Sequence, residues 1–130
     1  MTIPYVCILF SLLLIYINKI PVSLAMAKEE GGADNHYPRD QQARLTGIGK
    51  RALAAHQNSI EAFPIFAIGV FVSSINHANQ SLMTYISVAF VLARIAYSVF
   101  YLTDLARFRS IVWTFGLILS VSLYLLPFYS

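Results

Sequence analysis

The sequence predicts an all-α integral membrane protein whose four transmembrane helices form a bundle. Its residues are 58% hydrophobic and only 12% charged, and its mean hydropathy is +0.65. The apolar residues fall into four long runs separated by short polar connections. Because a bilayer core about 30 Å thick needs roughly 20 mostly apolar residues per helix, four spans occupy nearly all of the chain. We therefore expect a single membrane domain over residues 1–130.

The first span is predicted over residues 3–27, an apolar run interrupted by Asn18 and Lys19. Its last three residues, Ala-Met-Ala, resemble a signal-peptidase site. A signal peptide begins with a positively charged region, however, and residues 1–17 contain no lysine or arginine. The apolar run is also long for a signal peptide. We therefore expect it to be retained as a transmembrane helix.

The second span follows a polar connection. Residues 28–47 hold most of the charge together with glycine and proline breakers, which predicts a loop. A helical pattern then resumes, amphipathic at first and wholly apolar after Glu61. It predicts a helix that starts at the membrane surface and spans residues 52–75. The uncharged turn at residues 76–81 is too short for anything but antiparallel packing against the next helix.

The third span is predicted over residues 82–103, and a charged turn follows at residues 104–109. Ser110 is a suitable N-cap for a fourth span over residues 110–129. Trp113 near one end of this span and aromatic residues near the other suit the two membrane surfaces, where amphipathic rings are enriched. This pattern completes the prediction of four spans.

Lysine and arginine are distributed unevenly between the connections. Five of them lie between residues 28 and 51, two are Arg107 and Arg109, and none lies in the turn at residues 76–81 or at either terminus. Positively charged connections favour the cytoplasmic side of a membrane. We therefore expect both charged connections to face the cytoplasm and both termini to lie on the opposite side.

Composition disfavours two classes of function. The chain has nine basic and six acidic residues and no basic stripe interleaved with stacking aromatics, so nucleic acid is not an expected partner. The single Cys7 has no partner for a disulfide or a thiolate metal site. Asp34, His36 and Asp40 have a spacing that matches no defined metal site. We expect no metal, and we expect the lipid bilayer to be the main partner.

Charged side chains within the predicted spans are the strongest functional signal. Glu61 or Arg94 would each cost about 2.5 to 3.5 kcal/mol if it faced lipid at mid-bilayer. Spacings of i, i+3, i+7 and i+10 place polar side chains on one face of each of two helices. On the second helix these positions are Arg51, Ala54, Asn58 and Glu61. On the third helix they are Arg94, Tyr97, Tyr101 and Asp104.

Two interpretations of these polar faces remain open. They could meet inside the bundle as interhelical contacts, with Glu61 paired to Arg94 or to Arg51 of a neighbouring chain. They could instead line a polar cavity that opens to the cytoplasm, where Arg51, Arg107 and Arg109 are expected to gather. The first interpretation is structural and the second is functional.

The same residues carry a resemblance to a known family. The segment Arg51-Ala-Leu-Ala-Ala-His-Gln-Asn58-Ser-Ile-Glu61-Ala-Phe-Pro-Ile-Phe, the pattern Arg94-x-x-Tyr97-x-x-x-Tyr101 and the later Arg109-Ser110 resemble the MAPEG family, the membrane-associated proteins in eicosanoid and glutathione metabolism. The resemblance covers essentially the whole chain. It implies a homotrimer of four-helix subunits that holds glutathione between adjacent subunits near the cytoplasmic side.

The resemblance also implies roles for particular residues. The expected glutathione-binding residues are Arg51, Asn58, Glu61, Arg94, Tyr97, Tyr101 and Ser110. Arg109 is expected to stabilise the glutathione thiolate, with Arg107 as the alternative. The chain departs from the characterised members at Ala54, where they carry an arginine that binds glutathione. It looks more like the bacterial branch of the family, which implies a multi-pass protein of the bacterial inner membrane.

Three functions fit these expectations, and the sequence does not decide whether the protein is an enzyme. The first is a glutathione-dependent transferase or peroxidase that acts on lipophilic electrophiles from the bilayer. The second is a non-catalytic lipid-binding or structural membrane protein of the same fold, which the alanine at position 54 favours. The third is a proton-coupled transporter that uses Glu61, but the chain lacks the inverted repeat typical of such transporters.

Overall fold

The protein is described by a computed structural model that covers residues 1–130. All of its regular structure is helical. The elements are α1 (Ile3–Ala27), α2 (Pro38–Ala43), α3 (Gly47–Ile75), α4 (Gln80–Leu102), α5 (Ala106–Leu125) and a final 3-10 turn (Leu126–Phe128). Four of these helices are long and apolar enough to cross a membrane, namely α1, α3, α4 and α5 with its 3-10 extension. The prediction of a four-span helical membrane protein is confirmed.

One detail of the predicted boundaries is wrong. Ser110 does not cap the last helix, because α5 begins at Ala106 and Ser110 lies within it. The cause is the tight turn before α5, where Asp104 adopts a left-handed conformation with φ of 60° and allows the helix to restart early. The helix α3 begins at Gly47, ahead of the predicted span at residues 52–75, because the amphipathic residues at the membrane surface are helical, as the sequence pattern indicated.

The connection between the first two spans contains a short helix, α2, that the sequence did not predict. The buried side chain of Gln41 holds this helix in place. Its Nε2 donates to the backbone carbonyls of Gly32 at 3.1 Å and Met26 at 3.4 Å, and its Oε1 accepts from the backbone N–H of Asp34 at 2.7 Å. The side-chain amide of Gln41 thus joins α2 to the end of α1 and to the loop between the two helices.

Each of the four long helices runs antiparallel to the next along the chain, and the two ends of the bundle differ. At one end, the Tyr5 and Ser74 hydroxyls are hydrogen bonded, and the backbone N–H of Asn79 donates to Ser130 Oγ at 3.1 Å. Both termini therefore lie beside the turn between α3 and α4. At the other end, Arg51 Nη2 donates to the carbonyl of Leu102 at 3.5 Å. The two charged connections share that end, as predicted.

Close helix packing occurs where side chains are small or flat. The Phe66 and Phe90 rings stack with centroids 4.0 Å apart and join α3 to α4. At Gly69, an added Cβ would lie 3.0 Å from Tyr124 Cε2 and 3.2 Å from the carbonyl oxygen of Ser120. Small residues allow helix backbones to approach closely in membranes, and Gly69 has this role between α3 and α5.

A buried polar cluster of Asn18, Ser59 and Ser98 joins three helices inside the bundle. Asn18 Nδ2 on α1 donates to Ser59 Oγ on α3 at 2.6 Å and to Ser98 Oγ on α4 at 3.0 Å. Each serine in turn donates to a backbone carbonyl of its own helix, that of Ala55 or Arg94. All three side chains are buried. The polar cluster therefore explains why an asparagine interrupts the first apolar run, since hydrogen bonds between helices stabilise their association.

Candidate functional site

The two polar faces predicted from the sequence meet in a cavity between α3, α4 and α5. This deep cavity has a volume of about 120 Å³. Its polar lining residues are Asn58, Glu61, Arg94 and Ser120. Its remaining wall is largely apolar and is formed by Ala62, Ile65, Phe90, Trp113, Gly116 and Leu117. An added Cβ at Gly116 would meet no atom within 4 Å, so this glycine leaves space inside the cavity.

Arg94 is the most deeply buried charged residue of the site, with 5% of its surface exposed. Its Cζ lies 4.3 Å from the centre of the Tyr97 ring, a cation–π geometry that partly replaces lost hydration. Its Nη2 has no hydrogen-bond partner. Buried polar groups are usually paired, so this nitrogen can donate to a group from outside the chain.

Glu61 and Arg94 line the same cavity, but they form no ion pair within the chain. The only side-chain hydrogen bond to Glu61 comes from Asn58 Nδ2, at 3.5 Å from its Oε2. Glu61 is exposed on α3, whereas the Arg94 guanidinium lies over Tyr97. The first interpretation, in which these two charges neutralise each other as an interhelical contact, is therefore not what this chain forms by itself.

A second cavity lies nearer the charged end of the bundle, and we call it the entrance cavity. Its volume is about 410 Å³, and it is lined by Tyr97, Tyr101, Arg109, Ser110, Trp113 and Thr114. Arg109 Cζ lies 4.3 Å from the centre of the Tyr101 ring. The Tyr101 ring meets that of Tyr97 edge to face, with centroids 5.6 Å apart. Trp113 lines both cavities, so they are neighbours.

The position of Arg107 differs from that of Arg109. Arg107 is exposed and lines an open groove on another side of α5 together with Ile111, Phe115 and Ile118. Arg109 is half-buried beside the two tyrosines. Side chains two positions apart on a helix point in different directions, so only one of these arginines can face α4. That residue is Arg109.

Arg51 lies apart from both cavities. Its guanidinium reaches the carbonyl of Leu102 at the end of α4, and its Nε has no hydrogen-bond partner. Cations near a helix C-terminus interact favourably with the carbonyl groups exposed there. The geometry within one chain therefore gives Arg51 a role in joining α3 to α4, and the structure brings together the other predicted binding residues without it.

Sequence reasoning missed two residues that shape the site. Trp113 was interpreted only as a ring at the membrane surface, yet it lines both the deep cavity and the entrance cavity. Gly116 carried no signal, because a glycine in a membrane helix often marks close packing and here marks a gap instead. The positions of both depend on how α5 is rotated against α3 and α4.

The fold and the site define a class of multi-pass membrane proteins in which polar and cationic side chains form a pocket between apolar helices. Within that class, the family model described as the MAPEG family matches residues 3–129. The chain belongs to the MAPEG family, and the resemblance noted from its second, third and fourth helices is confirmed. A search of curated proteins found no match to the chain.

Proposed function

We propose that this protein binds glutathione in the entrance and deep cavities and uses it to modify lipophilic electrophiles or hydroperoxides that enter from the bilayer. The observation that carries the proposal is the position of Arg109 with Tyr97 and Tyr101 in the entrance cavity, which adjoins the largely apolar deep cavity at Trp113. An arginine stays charged at all relevant pH values and favours a thiolate over a thiol. Phenolic hydroxyls are suitable donors to an anion.

The chemistry needs no nucleophile from the protein. When glutathione binds, its thiol proton passes to solvent and the sulfur remains as a thiolate beside Arg109. In a transfer reaction, the sulfur forms a bond to the electrophilic carbon, and the leaving group departs with the electron pair of the broken bond. In a peroxidase reaction, the sulfur attacks the terminal peroxide oxygen and the O–O bond breaks, so that glutathione becomes a sulfenic acid and the departing alkoxide takes a proton from solvent to give the alcohol. A second glutathione then reacts with the sulfenic acid to give the disulfide and water. The protein supplies positioning and electrostatic stabilisation.

The proposal includes a homotrimer with glutathione between subunits. Exposed Glu61 supports it, because this carboxylate lies at the middle of α3, where the amphipathic part of the helix gives way to its apolar part. A carboxylate facing lipid at mid-bilayer costs about 2.5 to 3.5 kcal/mol on insertion scales. A neighbouring subunit that covers Glu61 removes this cost. The distribution of lysine and arginine supports a cytoplasmic position for the charged end of the bundle, and the resemblance to the bacterial branch of the family supports the bacterial inner membrane.

A second function is favoured by one specific observation. Ala54 occupies the helix position where characterised relatives carry a binding arginine, so one contact to a glutathione carboxylate is lost. A protein of the same fold that binds a lipid without turnover is the alternative, and the apolar walls of the deep cavity suit it. The two functions differ in whether a thiol reagent is consumed.

Consumption of glutathione distinguishes the enzyme from the lipid-binding protein. Purified protein in detergent is given glutathione with a lipophilic halide in one assay and with a lipid hydroperoxide in another, and consumption of glutathione is measured. The expected result is activity in at least one assay that falls strongly in Arg109→Ala and is kept in Arg107→Ala. Absence of consumption above the protein-free rate in both assays would exclude the enzyme and leave the lipid-binding function.

A further inference from the structure

A very small third cavity lies between α1, α3 and α4, and we call it the small cavity. Its volume is about 10 Å³, which is close to the space that a single water molecule needs. Its polar lining residues are Ser11 on α1, Ser59 on α3 and Arg94 on α4, and the rest of its wall is apolar. Arg94 also lines the deep cavity, so the two cavities are neighbours.

Two of these three polar residues have an atom without a partner in the chain. Ser11 Oγ and Arg94 Nη2 are buried and make no hydrogen bond, and both residues are more than nine-tenths buried. Buried polar groups are nearly always paired, because an unpaired one loses its hydration without compensation. A donor and a hydroxyl that both need a partner therefore line the same small cavity.

Ser59 provides a third polar contact for whatever fills the small cavity. Its Oγ donates to the carbonyl of Ala55 at 2.9 Å and accepts from Asn18 Nδ2 at 2.6 Å. Since a hydroxyl oxygen has two lone pairs, Ser59 can accept one more hydrogen bond. Ser11 lies seven residues before Asn18 and so shares its face of α1. The small cavity therefore adjoins the polar cluster of Asn18, Ser59 and Ser98.

We infer that the small cavity is the site of one ordered water molecule. This water accepts hydrogen bonds from Arg94 Nη2 and from the Ser11 hydroxyl, and it donates one to Ser59 Oγ. Three hydrogen bonds are typical of a buried water. A volume of about 10 Å³ is too small for a carboxylate or phosphate group, so the cation in the wall does not make this an anion site. The inference does not depend on glutathione binding.

The water makes Ser11 a positioning residue for Arg94. The guanidinium is then held from two sides, by the water toward α1 and by the Tyr97 ring, whose centre lies 4.3 Å from Arg94 Cζ. This arrangement explains why Arg94 does not turn to Glu61, although both residues line the deep cavity. No residue of α1 lines the deep cavity, yet a substitution on α1 should alter the arginine inside it.

The first test compares two buried serines. Ser87 on α4 is also fully buried, and its hydroxyl also has no partner, but it does not line the small cavity. Removing a hydroxyl that binds nothing is neutral or stabilising, whereas removing one that binds the water leaves the water and Arg94 short of a contact. Ser11→Ala should therefore raise the unfolding equilibrium constant in detergent about tenfold, and Ser87→Ala should not raise it. Equal effects of the two variants would overturn the inference.

The second test follows Arg94 itself, by nuclear magnetic resonance of protein with isotopically labelled arginine. The guanidinium signal is assigned by its loss in Arg94→Lys. Exchange of its protons with solvent should be roughly tenfold faster in Ser11→Ala than in the native protein, because a hydrogen bond that holds the group is weakened, and unchanged in Ser87→Ala. Unchanged exchange in Ser11→Ala would overturn the inference. Faster exchange in Glu61→Gln but not in Ser11→Ala would also overturn it, since the partner of Arg94 would then be a carboxylate.

Discussion

The guanidinium carbon of Arg109 lies 4.3 Å from the centre of the Tyr101 ring, across the tight turn that joins α4 to α5. The two residues are eight positions apart in the sequence, and the left-handed Asp104 allows the chain to reverse between them. The contact holds a permanent cation at the wall of the entrance cavity. Tyr97, which also lines this cavity, contacts Arg94 in the same manner and connects it with the deep cavity.

The first prediction concerns this arginine. Arg109→Ala should suppress formation of the bound glutathione thiolate, because the cation that stabilises it is removed. Trimer assembly should change little. Thiolate ultraviolet absorbance, measured at saturating glutathione, checks the first effect, and native mass spectrometry checks the second. Arg107→Ala is the control with the same loss of charge, and equal effects of the two variants would contradict the assignment of Arg109.

The second prediction restores a contact. Ala54→Arg should tighten glutathione binding by about tenfold to a hundredfold, which corresponds to one charge-assisted hydrogen bond to a carboxylate. Calorimetric titration provides the measurement. Gln80→Arg adds the same charge at the opposite end of the bundle and should leave the affinity unchanged. A similar gain in both variants would mean that net charge, and not position 54, determines affinity.

The third prediction compares two glycines. Gly69→Ala should lower stability by about 1 to 3 kcal/mol, because its Cβ would meet the Ser120 carbonyl and the Tyr124 ring. Gly116→Ala should be neutral or gain up to about 1 kcal/mol, since its Cβ meets nothing and alanine favours helices. Thermal unfolding in detergent measures both. Loss of stability in Gly116→Ala would show that α5 packs more tightly than described.

The fourth prediction concerns the polar cluster of Asn18, Ser59 and Ser98. Asn18→Leu should destabilise the bundle by roughly 1 to 2 kcal/mol, because two interhelical hydrogen bonds disappear. The loss stays small because Ser59 and Ser98 keep their bonds to backbone carbonyls. Chemical denaturation in mixed micelles provides the measurement. Asn76→Leu is the control, because this exposed asparagine bonds only within its own helix end, and it should unfold like the wild type.

The fifth prediction concerns orientation. A reporter fused after Ser130 should be active only as a periplasmic reporter, because the lysines and arginines of the connections lie at the opposite end of the bundle. A reporter inserted after Gly31, in the first charged connection, is the matched control and should report the cytoplasm. Reversed signals would place the charged end outside and would move the entrance cavity away from cytoplasmic glutathione.

The sequence predicted the parts of this molecule that depend on local pattern. The four apolar runs gave the spans, and the shared spacing on the second and third helices placed Asn58, Glu61 and Arg94 around one cavity. The features that the sequence did not predict depend on three-dimensional detail. An early helix start placed Ser110 inside α5, and the cation–π contact of Arg94 with Tyr97 leaves Glu61 unpaired within the chain. Residue spacing does not predict how α5 is rotated about its axis, and this rotation brings Trp113 and Gly116 to the site.

Binding of glutathione is the measurement that tests the proposed function most directly. Isothermal titration of the purified, detergent-solubilised protein with glutathione should show one weak site per subunit, abolished or sharply weakened in Tyr97→Phe/Arg109→Ala and strengthened in Ala54→Arg. The proposed function predicts weak binding by the native chain, because Ala54 offers no charged donor to a glutathione carboxylate. If neither the native protein nor Ala54→Arg binds glutathione at millimolar concentration, the cavity between α3, α4 and α5 is not a glutathione site.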